Sequence, residues 1–207
     1  TNDEKQNIVA FTKNEINGRV PFVVGLGGNN TSQVVAQIKS TDFSGIDAIL
    51  SVSPAYNKPT QEGIYQHFKA ISETCPTNII LYNVPGRTSS NMSAKTTLSL
   101  ANDFDNIIAI KEASGDMEQI MQLLRDKPTN FKVLSGDDAL TLPMILMGAE
   151  GVISVQAMAQ PKEFSEMVRQ GLAGNIEQAR ALHYPQLELI DHLFAEGNPA
   201  GIKACLK

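Results

Sequence analysis

Apolar residues along this chain fall into two alternating patterns. Six short runs, residues 21–27, 48–53, 78–84, 107–113, 131–135 and 151–155, are nearly continuous in Val, Ile, Leu and Ala. A half-exposed strand would alternate, so continuous runs predict strands covered on both faces. Between them the apolar positions take helical spacing. Ile64, Phe68 and Ile71 follow the second run at i, i+4 and i+7. Met117, Ile120, Met121 and Leu124 follow the fourth, with Asp116 placed to cap them, and Phe164, Met167 and Val168 follow the sixth, with Pro161 near the start. The runs begin at intervals of roughly 20–30 residues, room for a strand, a helix and two loops. Such repetition predicts βαβ units and a parallel sheet, either a closed barrel or an open doubly wound sheet.

Polar and glycine residues gather just after the runs: Gly25 to Asn30, Tyr82-Asn83, Lys111-Glu112 and Gly136-Asp137-Asp138. In both architectures the carboxyl ends of the strands carry the site. Six units are two fewer than a closed barrel needs. The chain also opens on a helix-like segment with Ile8, Phe11 and Thr12 on one face and no strand before it. The expectation is a piece of a longer barrel, open between the first and last runs. Its end reads as helical, from Asn175 as a possible cap through Ile176, Ala179, Leu187 and Ile190, broken at Glu196-Gly197-Asn198-Pro199. Residues 1–159 are thus expected to form a partial barrel and 160–207 a helical C-terminal region.

Composition narrows the function classes. Hydrophobic residues at 42% and charged residues at 19% describe a globular chain. The net charge of −5 comes without a Lys/Arg cluster, so nucleic acid is not an expected partner, and a small anion would need a few placed cations. No apolar run approaches the roughly 18–20 residues of a membrane span, and the first residues do not resemble a signal peptide. Cys75 and Cys205 match no metal or redox spacing, which makes a reducing cytoplasm the default expectation.

Lys111 ends an otherwise apolar strand pattern. It is either a strand-end lysine, solvated or paired with Glu112, or a desolvated amine able to attack a ketone and form a Schiff base. Tyr82 ends the preceding run, as a core aromatic with a wetted hydroxyl or as a proton donor and acceptor beside that amine. Arg87, in the loop that follows, is a surface cation or a fork for a carboxylate. Other motifs weigh less. Gly25-x-Gly27 has Asn30 where a dinucleotide fingerprint wants a third glycine. Asp137-Asp138 lacks histidines at ligand spacing, so a helix cap by Asp138 is the better reading, and Ser135-Gly136 lacks the glycines of a nucleophile elbow.

Five segments carry a resemblance: residues 53–63 (SPAYNKPTQEG), 81–88 (LYNVPGRT), 110–115 (IKEASG), 134–138 (LSGDD) and 151–155 (GVISV). Together, and in order along essentially the whole chain, they resemble the pyruvate-dependent class I aldolase family that contains dihydrodipicolinate synthase and N-acetylneuraminate lyase. The resemblance implies a TIM (βα)8 barrel, here six of eight βα units (strands three to eight), plus C-terminal helices. It implies an imine of Lys111 with pyruvate and no other cofactor or metal. Tyr82 matches the tyrosine that relays protons through imine formation and cyclisation. Tyr56 matches one that crosses a dimer interface to complete the neighbour's relay, which implies a homo-oligomer, a dimer of dimers. Arg87 matches the arginine that holds the carboxylate of aspartate 4-semialdehyde, and Ile153 the strand-eight residue lining the pyruvate pocket.

The implied reaction makes 4-hydroxy-tetrahydrodipicolinate from pyruvate and aspartate 4-semialdehyde, the branch toward diaminopimelate and lysine. Two departures stand out. The family's Gly-Thr-Thr-Gly-Glu segment, which links the two tyrosines and holds the pyruvate carboxylate, has no counterpart here, and the C-terminus is short, so this polypeptide alone is not expected to be competent. Ala55 stands where lysine-inhibited relatives carry an aromatic residue, and Asn2 and Lys5 where they often have histidines. The resemblance therefore does not extend to feedback inhibition by lysine. Two alternatives remain open: a sibling aldolase for sialic or keto-deoxy sugar acids, which lacks an arginine at the place of Arg87, and a non-catalytic barrel binding a small anion.

Overall fold

Strand and helix alternate along the chain as the apolar pattern requires. The computed structural model describes residues 1–207, apart from the side chain of Asn2, so the regulatory expectation attached to that side chain lies outside the described residues. The strands are β1 (Val23–Gly25), β2 (Ala48–Val52), β3 (Asn78–Asn83), β4 (Ile107–Glu112), β5 (Lys132–Ser135) and β6 (Gly151–Val152). They join in one sheet in the order β1-β2-β3-β4-β5-β6, and the pairs β1–β2, β2–β3 and β5–β6 are parallel. A doubly wound sheet reverses its strand order at a switch point. Strict chain order therefore excludes that architecture and leaves the barrel type. Among the described residues, no helix is long and apolar enough to cross a membrane.

By its internal contacts the chain divides into two compact units, Thr1–Ile110 and Lys111–Lys207, with β4 running from one into the other. In the first unit, α1 (Asn2–Ile16) starts on a reciprocal cap between Thr1 and Glu4 and stops at Asn17, whose left-handed backbone has φ 46°. Its Ile8 and Phe11 face is exposed. Helix α2 (Thr31–Ser40) begins where Asn30 accepts from Gln33 N, so the residue that spoils the dinucleotide fingerprint is a helix cap. Helix α3 (Gln61–Ser72) is capped by Thr60 and buries Ile64, Phe68 and Ile71 completely, as their spacing requires. A short α4 (Pro85–Thr88) and α5 (Ala94–Asp103) complete this unit. Ile49, Ile79, Leu81 and Leu100 are fully buried there, and each such side chain contributes about 1.5–3 kcal/mol.

In the second unit, Asp116 caps α6 (Met117–Asp126) through Gln119 N. Its buried stripe is Ile120 and Leu123, while Met121, expected inside, is exposed. The buried face runs through Gln119, Leu123 and Ile120, and residue 121 stands about 100° beyond 120, outside it. After α7 (Thr141–Leu146) and the short β6, α8 (Pro161–Leu172) and α9 (Ile176–His183) bring Phe164, Met167 and Ala179 against Leu142. The expected helix from Asn175 to the break at Glu196 is two, α9 and α10 (Leu187–Ala195), and α11 (Ala200–Cys205) follows the break. A 3-10 turn at Tyr184–Gln186, containing Pro185, separates the first two. Asn175 precedes α9 but makes no side-chain cap; its amide donates to Gln170 Oε1 instead.

The amino ends of the strands are held by polar clamps. Asp47 accepts from Phe22 N, Asn106 donates to the carbonyls of Ser72 and Cys75, and Lys127 pairs with Glu150, which also takes Val133 N. In a βα-barrel this end reads as stability, and the opposite end as chemistry.

Candidate active site

In the first unit the carboxyl ends of β2 and β3 lie side by side, with Val52 in register with Tyr82. Tyr82 is half-buried, and burial pushes its phenol pKa up, opposed by the Arg87 cation. Beyond it, Asn83 is fully buried and pins the returning loop: its amide donates to Asn91 Oδ1 and its carbonyl oxygen accepts from Met92 N. That clamp closes a tight excursion whose apex is α4. Arg87, expected in a loop, is an exposed residue of this single helical turn.

The loop after β2 is held from both sides. Ala55 N donates to Asn29 Oδ1, and Tyr56 N donates to Thr88 O at 2.8 Å. Within it Tyr56 has φ 66° and Lys58 φ 48°, left-handed conformations that side chains other than glycine rarely take. Tyr56 is also 88% exposed. The left-handed backbone costs about 1–3 kcal/mol, and the hydrogen bond from Tyr56 N to Thr88 O helps to hold it.

In the second unit Lys111 is only 9% exposed. Burial pushes its ammonium pKa down, and the Asp138 carboxylate partly opposes that shift. The neighbouring Glu112 directs its carboxylate to Ser114 N and Gln119 Nε2 at the start of α6, as the alternation of a strand demands. Beside β4, Gly136 N donates to Glu112 O, and Ile153 N donates to Ser135 O. This carries the ladder past the last residues of β5 and β6 and places half-buried Ile153 directly after β6.

The two acidic residues divide their labour differently from the expectation. Asp137 makes the local turn, accepting from Ala139 N and Leu140 N through Oδ1. Asp138, expected to cap a helix of its own segment, reaches across to accept from Val155 N and Gln156 N. That distant cap also explains why β6 stops at Val152 rather than continuing to residue 155: Val155 is already in helical conformation, starting the 3-10 turn Gln156–Met158.

Desolvation of a lysine at a strand end favours the neutral amine, the form that can act as a nucleophile. Comparisons with known proteins give the family. The model of the dihydrodipicolinate synthetase family matches residues 1–207, the entire chain. The chain belongs to that family. A 4-hydroxy-tetrahydrodipicolinate synthase of Flavobacterium psychrophilum is 56% identical over 205 residues, which are 99% of this chain and 70% of that protein. Among solved structures, the dihydrodipicolinate synthase of Aquifex aeolicus superposes with a TM-score of 0.95 at 40% identity, covering 100% of this chain and 71% of that one. The chloride-inhibited dihydrodipicolinate synthase of Acinetobacter baumannii, solved with pyruvate, gives 0.95 at 39%, covering 100% and 70%. The six βα units are therefore six of those of a TIM barrel of the dihydrodipicolinate synthetase family.

Of the residues singled out from the sequence, Tyr56, Tyr82 and Arg87 belong to the first unit and Lys111 and Ile153 to the second. Asn29, Asn83 and Gly136 lie in the polar and glycine segments noted after the runs, but that pattern assigns them no individual role and does not foretell the reach of Asp138. Asn83 and Gly136 did carry a signal, because each is a polar or small residue directly after an apolar run.

Proposed function

We propose that Lys111 is the nucleophile of a 4-hydroxy-tetrahydrodipicolinate synthase acting on pyruvate and L-aspartate 4-semialdehyde. The supporting observation is the burial of Lys111 at the carboxyl end of β4, which favours the free amine. That amine adds to the keto carbon of pyruvate; loss of water gives the imine, and loss of a methyl proton gives an enamine. The enamine carbon attacks the aldehyde of the second substrate, whose oxygen takes a proton and becomes the 4-hydroxyl. The amino nitrogen of the second substrate then displaces Lys111 and closes the ring, returning the free amine.

In this scheme Tyr82, on the strand preceding β4 in the sheet order, passes protons during imine formation and ring closure. Arg87 takes the carboxylate of the semialdehyde, and Ile153 lines the pyruvate pocket. Tyr56 crosses to a second copy of the chain, in a homotetramer built as a dimer of dimers; its exposure and strained backbone support that role. We assign the reaction to the cytoplasm, with residues 1–159 as the barrel portion and 160–207 as a C-terminal helical region. Incubating the native protein with pyruvate and the semialdehyde should yield the cyclic product, and Lys111→Ala should abolish it. Cleavage of a sialic or keto-deoxy sugar acid in place of condensation would overturn the substrate assignment.

A further inference from the structure

We propose that Gly136 is the positioning residue for Lys111: the absence of a side chain there makes the space in which the lysine stem rests. A Cβ at residue 136 would stand 2.9 Å from Lys111 Cε, 3.0 Å from Lys111 Cγ and 2.7 Å from Ala113 Cβ. Carbon atoms in ordinary contact are about 3.5–4.0 Å apart, so any other residue would have to displace the lysine, Ala113 or its own backbone. The backbone has little freedom to retreat. Gly136 N donates to Glu112 O at 2.8 Å, and the carbonyl of the preceding Ser135 accepts from Ile153 N at 2.9 Å. Ser135 itself is fully buried, with Oγ donating to Asp137 O and accepting from Asp137 N.

Glycine here supplies room rather than conformational freedom, because Gly136 is not among the glycines with a positive φ. The stem occupies, at both Cγ and Cε, the space a side chain at residue 136 would need, so the bare backbone sets the direction of the last methylenes and hence of the amine. A lysine has four side-chain torsions, and in the open it would spread the amine over several ångströms. A floor fixed by hydrogen bonds on both sides removes most of that spread before any substrate arrives.

The catalytic consequence rests on Lys111 being the imine-forming amine; the steric contact does not, and two sets of readouts separate them. The first is a cycle of Gly136→Ala, Lys111→Ala and the double variant, all built in a native protein carrying Ala113→Gly so that the nearest neighbour at 2.7 Å is cleared throughout, read by melting temperature. Gly136→Ala should lower the melting temperature where Lys111 is present and much less where Lys111 is already alanine. Equal losses in both backgrounds would overturn the proposal. If Gly136→Ala alone does not fold, a folded double variant supports the contact, and an unfolded one refutes it.

The second readout is imine formation with pyruvate. Gly136→Ala should slow the saturating rate by roughly 10–100-fold, with little change in the half-saturating pyruvate concentration. Adding Ala113→Gly clears the other close neighbour and should not restore the rate. Full restoration would show that Ala113, and not the lysine, is the contact that matters. A wild-type protein that forms no imine at Lys111 would remove the catalytic reading, while the thermal cycle still decided the contact.

Discussion

Asp138→Ala should destabilise the protein by roughly 2–6 kcal/mol, because its carboxylate is the acceptor for two backbone amides. Asp138 is 3% exposed, and its Oδ2 accepts from Val155 N at 3.2 Å and Gln156 N at 2.9 Å. Gln156 is fully buried, so water cannot easily replace the lost acceptor. Each orphaned N–H costs about 1–3 kcal/mol, and alanine leaves two. Asparagine keeps one oxygen for the same pair but loses the charge that strengthens both bonds. It also points an amide at the place of Oδ1, which accepts no hydrogen bond among the described residues. Asp138→Asn should therefore cost less, roughly 1–3 kcal/mol. Denaturant unfolding at fixed pH, with unchanged m-values, measures both. The asparagine variant also isolates the electrostatic role. Burial pulls the Lys111 pKa below 10.5 and Asp138 pulls it back up, so removing the charge lets burial act alone. The acid limb of imine formation, which needs neutral amine, should move to lower pH. Stabilities equal to wild type in both variants, or an acid limb that moves up, would refute the reasoning.

Three other outcomes follow from the same geometry. Arg87→Ala should cut kcat/KM for the semialdehyde by one to two orders of magnitude, about 1.5–3 kcal/mol, while pyruvate trapping is spared; equal losses would place Arg87 in the pyruvate site or in a structural role. Tyr82→Phe removes one oxygen and should slow turnover by roughly 10²–10⁴-fold, and turnover near wild type would exclude a proton relay through it. Lys111→Met should stabilise the fold at neutral pH. The folded pKa of Lys111 lies below its unfolded value of 10.5, so between the two the unfolded chain binds more protons and wild-type stability rises with pH. The advantage of methionine should therefore be full below the folded pKa and vanish above about 10.5; an advantage that grew with pH would contradict the burial of a charged amine.

The strands and most helices were legible because their apolar residues obey one period each. Ile64, Phe68 and Ile71 are an unambiguous helical face, and all three are fully buried. The limits appear where tertiary partners override local pattern. Val155 belongs by composition to a strand, but the distant carboxylate of Asp138 draws its N–H and that of Gln156 into a turn. Leu123 lies inside and Met121 outside because the buried face of α6 runs through Gln119, Ile120 and Leu123. Lys111 and Tyr82 stood out as polar groups at the ends of apolar runs. Tyr56 came only through the resemblance, since nothing in its local pattern foretells a left-handed backbone. Gly136 was visible as a glycine directly after an apolar run, without a role. Its relation to the lysine stem depends on two neighbouring strands whose separation along the chain hides it.

The most direct test of the account is reductive trapping. Borohydride added to the native protein with pyruvate delivers hydride to the imine carbon and leaves a stable secondary amine, which peptide mass spectrometry locates. The account predicts one carboxyethyl group, on Lys111 and nowhere else, and none on the Lys111→Ala variant. A label on another lysine, or an unlabelled protein that still turns over both substrates, would contradict it.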